Sequence, residues 1–192
     1  MITLIRNGSI VTSEGLKLID LLFQDDKIIE MGHHLTGYDQ VIEATDCFVI
    51  PGMIDIHVHG GGGHDFMEAS LEAFEKATDF HLKNGATSIV PTAISASKEA
   101  IDHFLMAYKT ALNTPSIQVR LIGAHLEGPY LSKDKKGAHP LKYLRNPDIN
   151  EYSKWVEKFP FISRMTADPE LEGALDLGDF LSRKGINVSI GH

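Results

Sequence analysis

The sequence predicts an α/β protein: a small β-sandwich layer over residues 1–50, then an incomplete (β/α)8 barrel over residues 51–192. Three observations carry this. Up to about Ile50, short strand-like segments are separated by turn residues, with no helix-period pattern. From Pro51 onward, apolar strand-like runs alternate with amphipathic helical stretches, the pattern of parallel β/α units. Imidazole and carboxylate side chains then recur at the C-terminal ends of those strands, the face where a barrel gathers its chemistry.

In the first part, Ile2 to Arg6, Ser9 to Thr12, Leu18 to Phe23, Lys27 to Met31 and Cys47 to Ile50 read as strands. Asn7-Gly8, Glu14-Gly15 and Asp25-Asp26 are the turn signals between them, and strands of this length and spacing indicate a small antiparallel sheet or sandwich layer. In the second part, the expected order is strand Met53 to His59, helix Leu71 to Asn84, strand Thr87 to Thr92 after the helix-stopping Gly85, and helix Lys98 to Leu112 capped by Ser97. A long apolar strand, Gln118 to Glu127, follows. Helix Ile149 to Phe159, strand Phe161 to Met165, helix Leu171 to Lys184 and strand Ile186 to His192 complete the chain.

A closed barrel of this kind takes about 250 residues and eight strands, whereas about 140 residues and five strands follow Ile50. The expectation is therefore the N-terminal part of a longer protein, or a fragment. A complete five-stranded flavodoxin-like fold is the runner-up, and the recurrence of ligand-type residues at strand ends weighs against it. The chain has 192 residues, is 43% hydrophobic and carries a net charge of −8. That is enough apolar content for a sizeable core, and the charge argues against nucleic-acid binding. An anionic substrate must be gripped by local positive groups. No apolar run reaches membrane-spanning length and no signal peptide opens the chain, so no membrane association is expected. Cys47 is the only cysteine, which excludes an intrachain disulfide and suits a reducing, cytoplasmic setting.

His57 and His59 close the first barrel strand. Residues i and i+2 of a strand share a face, so both imidazoles converge, and Gly60 to Gly63 then turn the chain. In the third strand Leu121, Gly123, His125 and Glu127 share a face by parity, which places Glu127 at the mouth before Gly128-Pro129. His192 ends the fifth strand. Imidazole and carboxylate ligands suit Zn²⁺, and also Fe²⁺, Co²⁺, Mn²⁺ or Ni²⁺. The loop Leu131 to Pro140 lies over the mouth: its lysines read as a solvated face, and His139 lies within reach of a substrate. Asp65 could buttress a ligand histidine or cap the next helix. His33, His34, His81 and His103 read as outside the site.

The run Pro51 to Gly60 resembles the first-strand signature of the amidohydrolase superfamily. His125-Leu126-Glu127-Gly128-Pro129-Tyr130, with Lys136-Gly137-Ala138-His139 and Ser189-Ile190-Gly191-His192, resembles the N-acetylglucosamine-6-phosphate deacetylase family within it. The resemblance spans the whole chain. It implies a β-sandwich plus a metal-dependent barrel, and hydrolysis of the N-acetyl amide of N-acetylglucosamine 6-phosphate to glucosamine 6-phosphate and acetate. It implies Glu127 and His192 as metal ligands and His57 and His59 as ligands of a second ion, hence one or two divalent ions, Zn or Fe foremost. Ala138 and His139 match substrate-contacting positions. A catalytic aspartate, a further ligand histidine and phosphate-gripping groups lie downstream of the position of His192 in that family, the last partly across a homodimer interface. The catalytic base is thus not among these residues, and the 192-residue chain alone is expected to be inactive. Two alternatives remain: an amidohydrolase acting on a cyclic amide, and a non-catalytic fragment. The cyclic-amide relatives commonly carry a carboxylated lysine on the fourth strand, which here reads Phe161-Ile162-Ser163-Arg164-Met165.

Overall fold

A computed structural model describes residues 1–192 and divides them into two compact units, Met1–Pro51 and Gly52–His192.

The first unit holds seven strands: β1 (Ile2–Arg6), β2 (Ser9–Thr12), β3 (Gly15–Leu18), β4 (Asp20–Gln24), β5 (Lys27–Gly32), β6 (Gln40–Glu43) and β7 (Phe48–Val49). They form two sheets, ordered β5-β4-β1-β6 and β3-β2-β7. Leu4, Ile10, Leu21 and Leu22 are buried, and in β1 and β4 two consecutive residues are enclosed, so burial there does not follow simple period-2 alternation. Three details differ from the sequence reading. The expected strand Leu18 to Phe23 is two strands, because β3 pairs with β2 in one sheet and β4 with β1 in the other. Gln40–Glu43 forms a strand that its polar ends hid. It runs parallel to β1, and β7 runs parallel to β2, so both sheets are mixed and not antiparallel throughout.

The second unit is a curled, parallel half-barrel. Its strands are β8 (Met53–Val58), β11 (Ala86–Ala93), β12 (Arg120–Leu121), β13 (Ala124–Glu127), β14 (Ile162–Ala167) and β15 (Asn187–Ile190), and a small hairpin of β9 (Gly60–Gly61) and β10 (His64–Asp65) follows β8. β8 pairs with β11, β11 with β12 and β13, β13 with β14, and β14 with β15, all parallel. Helices α1 (Leu71–Lys83), α2 (Lys98–Ala111), α3 (Ile149–Lys158) and α4 (Ala174–Arg183) make the connections. Ser70, Ser97 and Asp148 cap the first three by accepting the N–H of Ala73, Ala100 and Asn150. Each such cap is worth about 1 kcal/mol. α4 starts later than Leu171, after Gly173 takes a left-handed conformation.

The core lies between strands and helices. Phe66, Phe74, Phe104, Leu105, Leu126 and Trp155 are fully enclosed. Burial of side chains this size stabilises by about 1.5–3 kcal/mol each. Trp155 keeps its indole N–H satisfied on Asp102, at 2.7 Å.

The long third strand is broken. Gly123 has φ +142°, a Cβ there would meet the Ser163 hydroxyl, and its N–H donates to the Tyr108 hydroxyl at 2.9 Å. The parity of Leu121 to Glu127 is therefore interrupted, and regular pairing with β14 runs only from His125 to Glu127, after a further register shift at Ala124/His125. No helix is long and apolar enough to cross a membrane.

Candidate metal centre

The C-terminal ends of β8 and β15 bring His57, His59 and His192, and the loop after β13 brings His139, around one carboxylate, that of the buried Glu127 at the end of β13. Its Oε2 lies 3.2 Å from His57 Nε2 and 3.0 Å from His59 Nε2, and those two nitrogens lie 3.2 Å apart. Its Oε1 lies 3.1 Å from His192 Nε2. His139 Nε2 stands 3.4 Å from Oε2. Two trios therefore share Glu127: one with His57 and His59, one with His139 and His192. Ala138 is exposed beside His139 and contributes no polar side chain. Gly137, at φ +57°, sits against the His192 ring, where a Cβ would come within 3.3 Å of it.

The partners of Nδ1 set the chemistry of each ring. His59 Nδ1 faces the Thr92 carbonyl at 3.1 Å. A carbonyl only accepts, so Nδ1 carries a hydrogen; Nε2 presents a lone pair in the neutral ring and donates to Glu127 in the protonated one. His192 is alike, with Nδ1 3.1 Å from the Lys135 carbonyl. His139 is reversed: its Nδ1 accepts the Ser95 backbone N–H at 3.2 Å and lies 2.7 Å from the Ser95 hydroxyl. The neutral ring therefore carries its hydrogen on Nε2 and aims a donor at the centre.

Glu127 is desolvated, which opposes its ionisation. The hydrogen bond from His59 and the positive charge of the neighbouring imidazoles outweigh this and hold its pKa down at about 2. The same hydrogen bond raises His59 above the usual imidazole value, against the opposing effect of burial. Burial lowers His139.

Lone pairs of His57 and His59 and a carboxylate oxygen converging at 3.0–3.2 Å repel one another unless a proton or a cation lies between them. Tetrahedral ligands of a divalent ion at its usual bond lengths stand about 3.3 Å apart. The donor set therefore fits a divalent metal. The second trio offers two ligand atoms, Glu127 Oε1 and His192 Nε2, and a hydrogen-bond donor.

Sequence reasoning missed four residues that support this centre: Thr92, Ser95, His125 and Thr166. Thr92 and Ser95 come from β11 and the loop after it, which carries no ligand of its own. Strand parity does place His125 on the face of Glu127, but nothing in the sequence gives it a role, because its partners Thr92 and Thr166 come from neighbouring strands. Asp65 caps the short 3-10 helix Phe66–Glu68 by accepting the Met67 N–H at 2.7 Å, so the capping role is the one observed. His81, from α1, bonds the Gly60 carbonyl at 2.9 Å.

A parallel half-barrel that gathers imidazoles and a carboxylate at its C-terminal strand ends is the architecture of metal-dependent barrel hydrolases. The amidohydrolase family model matches residues 48–160, and the chain belongs to that family. An N-acetylglucosamine-6-phosphate deacetylase of Lysinibacillus sphaericus is 33% identical over 98% of this chain and 50% of its own length. An N-acetylgalactosamine-6-phosphate deacetylase of Escherichia coli O157:H7 is 34% identical over 79% of this chain and 41% of its own. The crystal structure of N-acetylglucosamine-6-phosphate deacetylase from Pasteurella multocida superposes with a TM-score of 0.91 at 28% identity, covering 100% of this chain and 51% of that one. A D-hydantoinase at 22% identity and TM-score 0.60 shares the fold alone. The chain spans about half the length of the curated relatives it matches.

Proposed function

We propose that these residues belong to a metal-dependent deacetylase that hydrolyses the N-acetyl amide of N-acetylglucosamine 6-phosphate to glucosamine 6-phosphate and acetate. The reading rests above all on the convergence of His57 Nε2, His59 Nε2 and Glu127 Oε2 within 3.0–3.2 Å of one another. Likeness to curated amino-sugar-phosphate deacetylases over nearly the whole chain supports the substrate class.

His57, His59 and Glu127 would hold one divalent ion, Zn²⁺ or Fe²⁺, and Glu127 with His192 would contribute to a second. When bound, such an ion polarises an amide carbonyl and lowers the pKa of a coordinated water to about 7. The chain's own part is to hold and orient. The Thr92 and Lys135 carbonyls keep the His59 and His192 Nε2 atoms turned inward. His139 offers an Nε2–H to a substrate oxygen at the mouth, with Ala138 beside it leaving room. Glu127 stays ionised throughout the physiological range. As a ligand it is committed to the metal and does not serve as the general base. The active assembly is a cytoplasmic homodimer of chains of the relatives' length.

Two measurements test this. Titration of the 192-residue chain with Zn²⁺ is expected to give one or two equivalents, the tighter lost in His59→Ala. The chain fused to the second half of the Lysinibacillus relative is expected to release acetate from N-acetylglucosamine 6-phosphate, while the unfused chain releases none. A correctly folded fusion that binds metal but acts on hydantoin and not on the amino sugar would move the assignment to the cyclic-amide branch. The absence of lysine from β14 and the presence of Glu127 at the centre speak against that branch.

A further inference from the structure

Beneath the ligand trio lies an imidazole that none of this chemistry uses. His125 is fully buried, and its ring packs edge-on against His57 with centroids 4.8 Å apart. Its Nδ1 lies 3.2 Å from the Thr92 hydroxyl and its Nε2 lies 2.7 Å from the Thr166 hydroxyl. The hydrogen positions follow by elimination. The Thr92 hydroxyl has one hydrogen and gives it to the Val90 carbonyl at 3.1 Å, so it accepts from His125 Nδ1–H. Thr166 Oγ1 then donates to Nε2. Both ring nitrogens are occupied, so His125 is not a ligand.

Thr92 is the junction. Its hydroxyl also accepts the Val58 N–H at 3.0 Å, and its carbonyl holds His59 Nδ1 at 3.1 Å. One residue of β11 therefore fixes both the backbone between the two ligand histidines and the ring of the second, and His125 in turn fixes that residue's hydroxyl. We propose that His125 is a positioning residue for the His57/His59/Glu127 centre, acting through Thr92. The proposal rests on the metal-binding reading above for its functional consequence.

Asparagine and glutamine separate the two halves of the ring. An Asn amide overlays Nδ1 and can still donate to Thr92. A Gln amide overlays Nε2 and can still accept from Thr166, but it loses Thr92. In Zn²⁺ competition titrations of the 192-residue chain, His125→Gln is expected to weaken binding about 10–100-fold, the usual cost of losing an outer-shell partner of a metal ligand. His125→Asn is expected to stay within about threefold, since its Thr92 link survives. Thr92→Val is expected to reproduce the glutamine loss, and Thr166→Val to resemble asparagine. Thermal unfolding of each variant separates lost positioning from lost folding.

Equal affinity in His125→Asn and His125→Gln, whether high or low, would overturn the Thr92 route. Long-range ¹H–¹⁵N spectra of the metal-free chain decide the matter independently. His125 is expected as the Nδ1–H tautomer, and the His59 ring signals are expected to move in the Gln variant and hold still in the Asn variant. The opposite tautomer, or His59 signals indifferent to both substitutions, would refute the positioning role. A wild-type chain that binds no Zn²⁺ would instead refute the metal reading, leaving the spectra to judge the positioning claim.

Discussion

The two trios around Glu127 look alike as lists of residues and differ in what they can do. In the first, His57 and His59 come from one strand, and His59 is turned by a carbonyl, so its Nε2 is a ligand atom. In the second, His192 is turned the same way by Lys135, whereas His139 is turned the opposite way by the Ser95 N–H. Which backbone group meets Nδ1 decides whether the same side chain is a ligand or a donor. A count of histidines near a carboxylate therefore overstates the number of ligands, here by one.

Glu127→Gln strikes both trios and is expected to have the largest effect. Losing the shared anionic ligand should cost about 100-fold or more in Zn²⁺ affinity and remove any second equivalent, as calorimetry will show. Separate substitutions sharpen the contrast. His59→Ala is expected to abolish the tighter equivalent, and His192→Ala to remove only the weaker one, by metal analysis after dialysis. His139→Gln is expected to leave Zn²⁺ affinity within about threefold, because a donor is replaced by a donor. A collapse of metal binding in His139→Gln would break the comparison and make the second trio a true ligand set.

The smallest effect is on stability against pH in the metal-free chain. His125 is pushed by burial to about 3, and His139 is also lowered by burial. The unfolded chain therefore takes up more protons than the folded one as pH falls below about 6.5, and stability declines on that side. His59 is raised by Glu127, so its contribution is complete below about 6.5 and is lost as pH rises through its folded value. Thermal unfolding of the metal-free chain is expected to peak near neutrality on the acid side. Saturating Zn²⁺ should move the optimum upward, because binding needs His59 deprotonated. A metal-free profile that keeps rising above pH 7 would contradict the His59–Glu127 coupling.

Much of this was legible in the chain. The parity of Asp55 to His59 sends both imidazoles to one face whatever surrounds them, because alternation is a local property of an extended backbone. Gly128-Pro129 after Glu127 marks the end of an apolar strand, and Ser97 with its helix is a contact three residues long. These are short-range facts. The unbroken strand from Gln118 was misread because nothing in Leu121 to Ala124 except a glycine announces a break. The break follows from how closely Ser163 of the next strand approaches Gly123.

By itself, then, the sequence determined the order of strands and helices, the face shared by His57 and His59, and the strand-end positions of Glu127 and His192. Only the tertiary structure decided that Thr92, Ser95, His125 and Thr166 hold those groups, and that His139 donates where His192 can ligate. The reason is physical. Side-chain direction along a strand is set by neighbours in sequence, whereas the proton on an imidazole is set by whichever carbonyl, hydroxyl or N–H another strand brings to its far nitrogen.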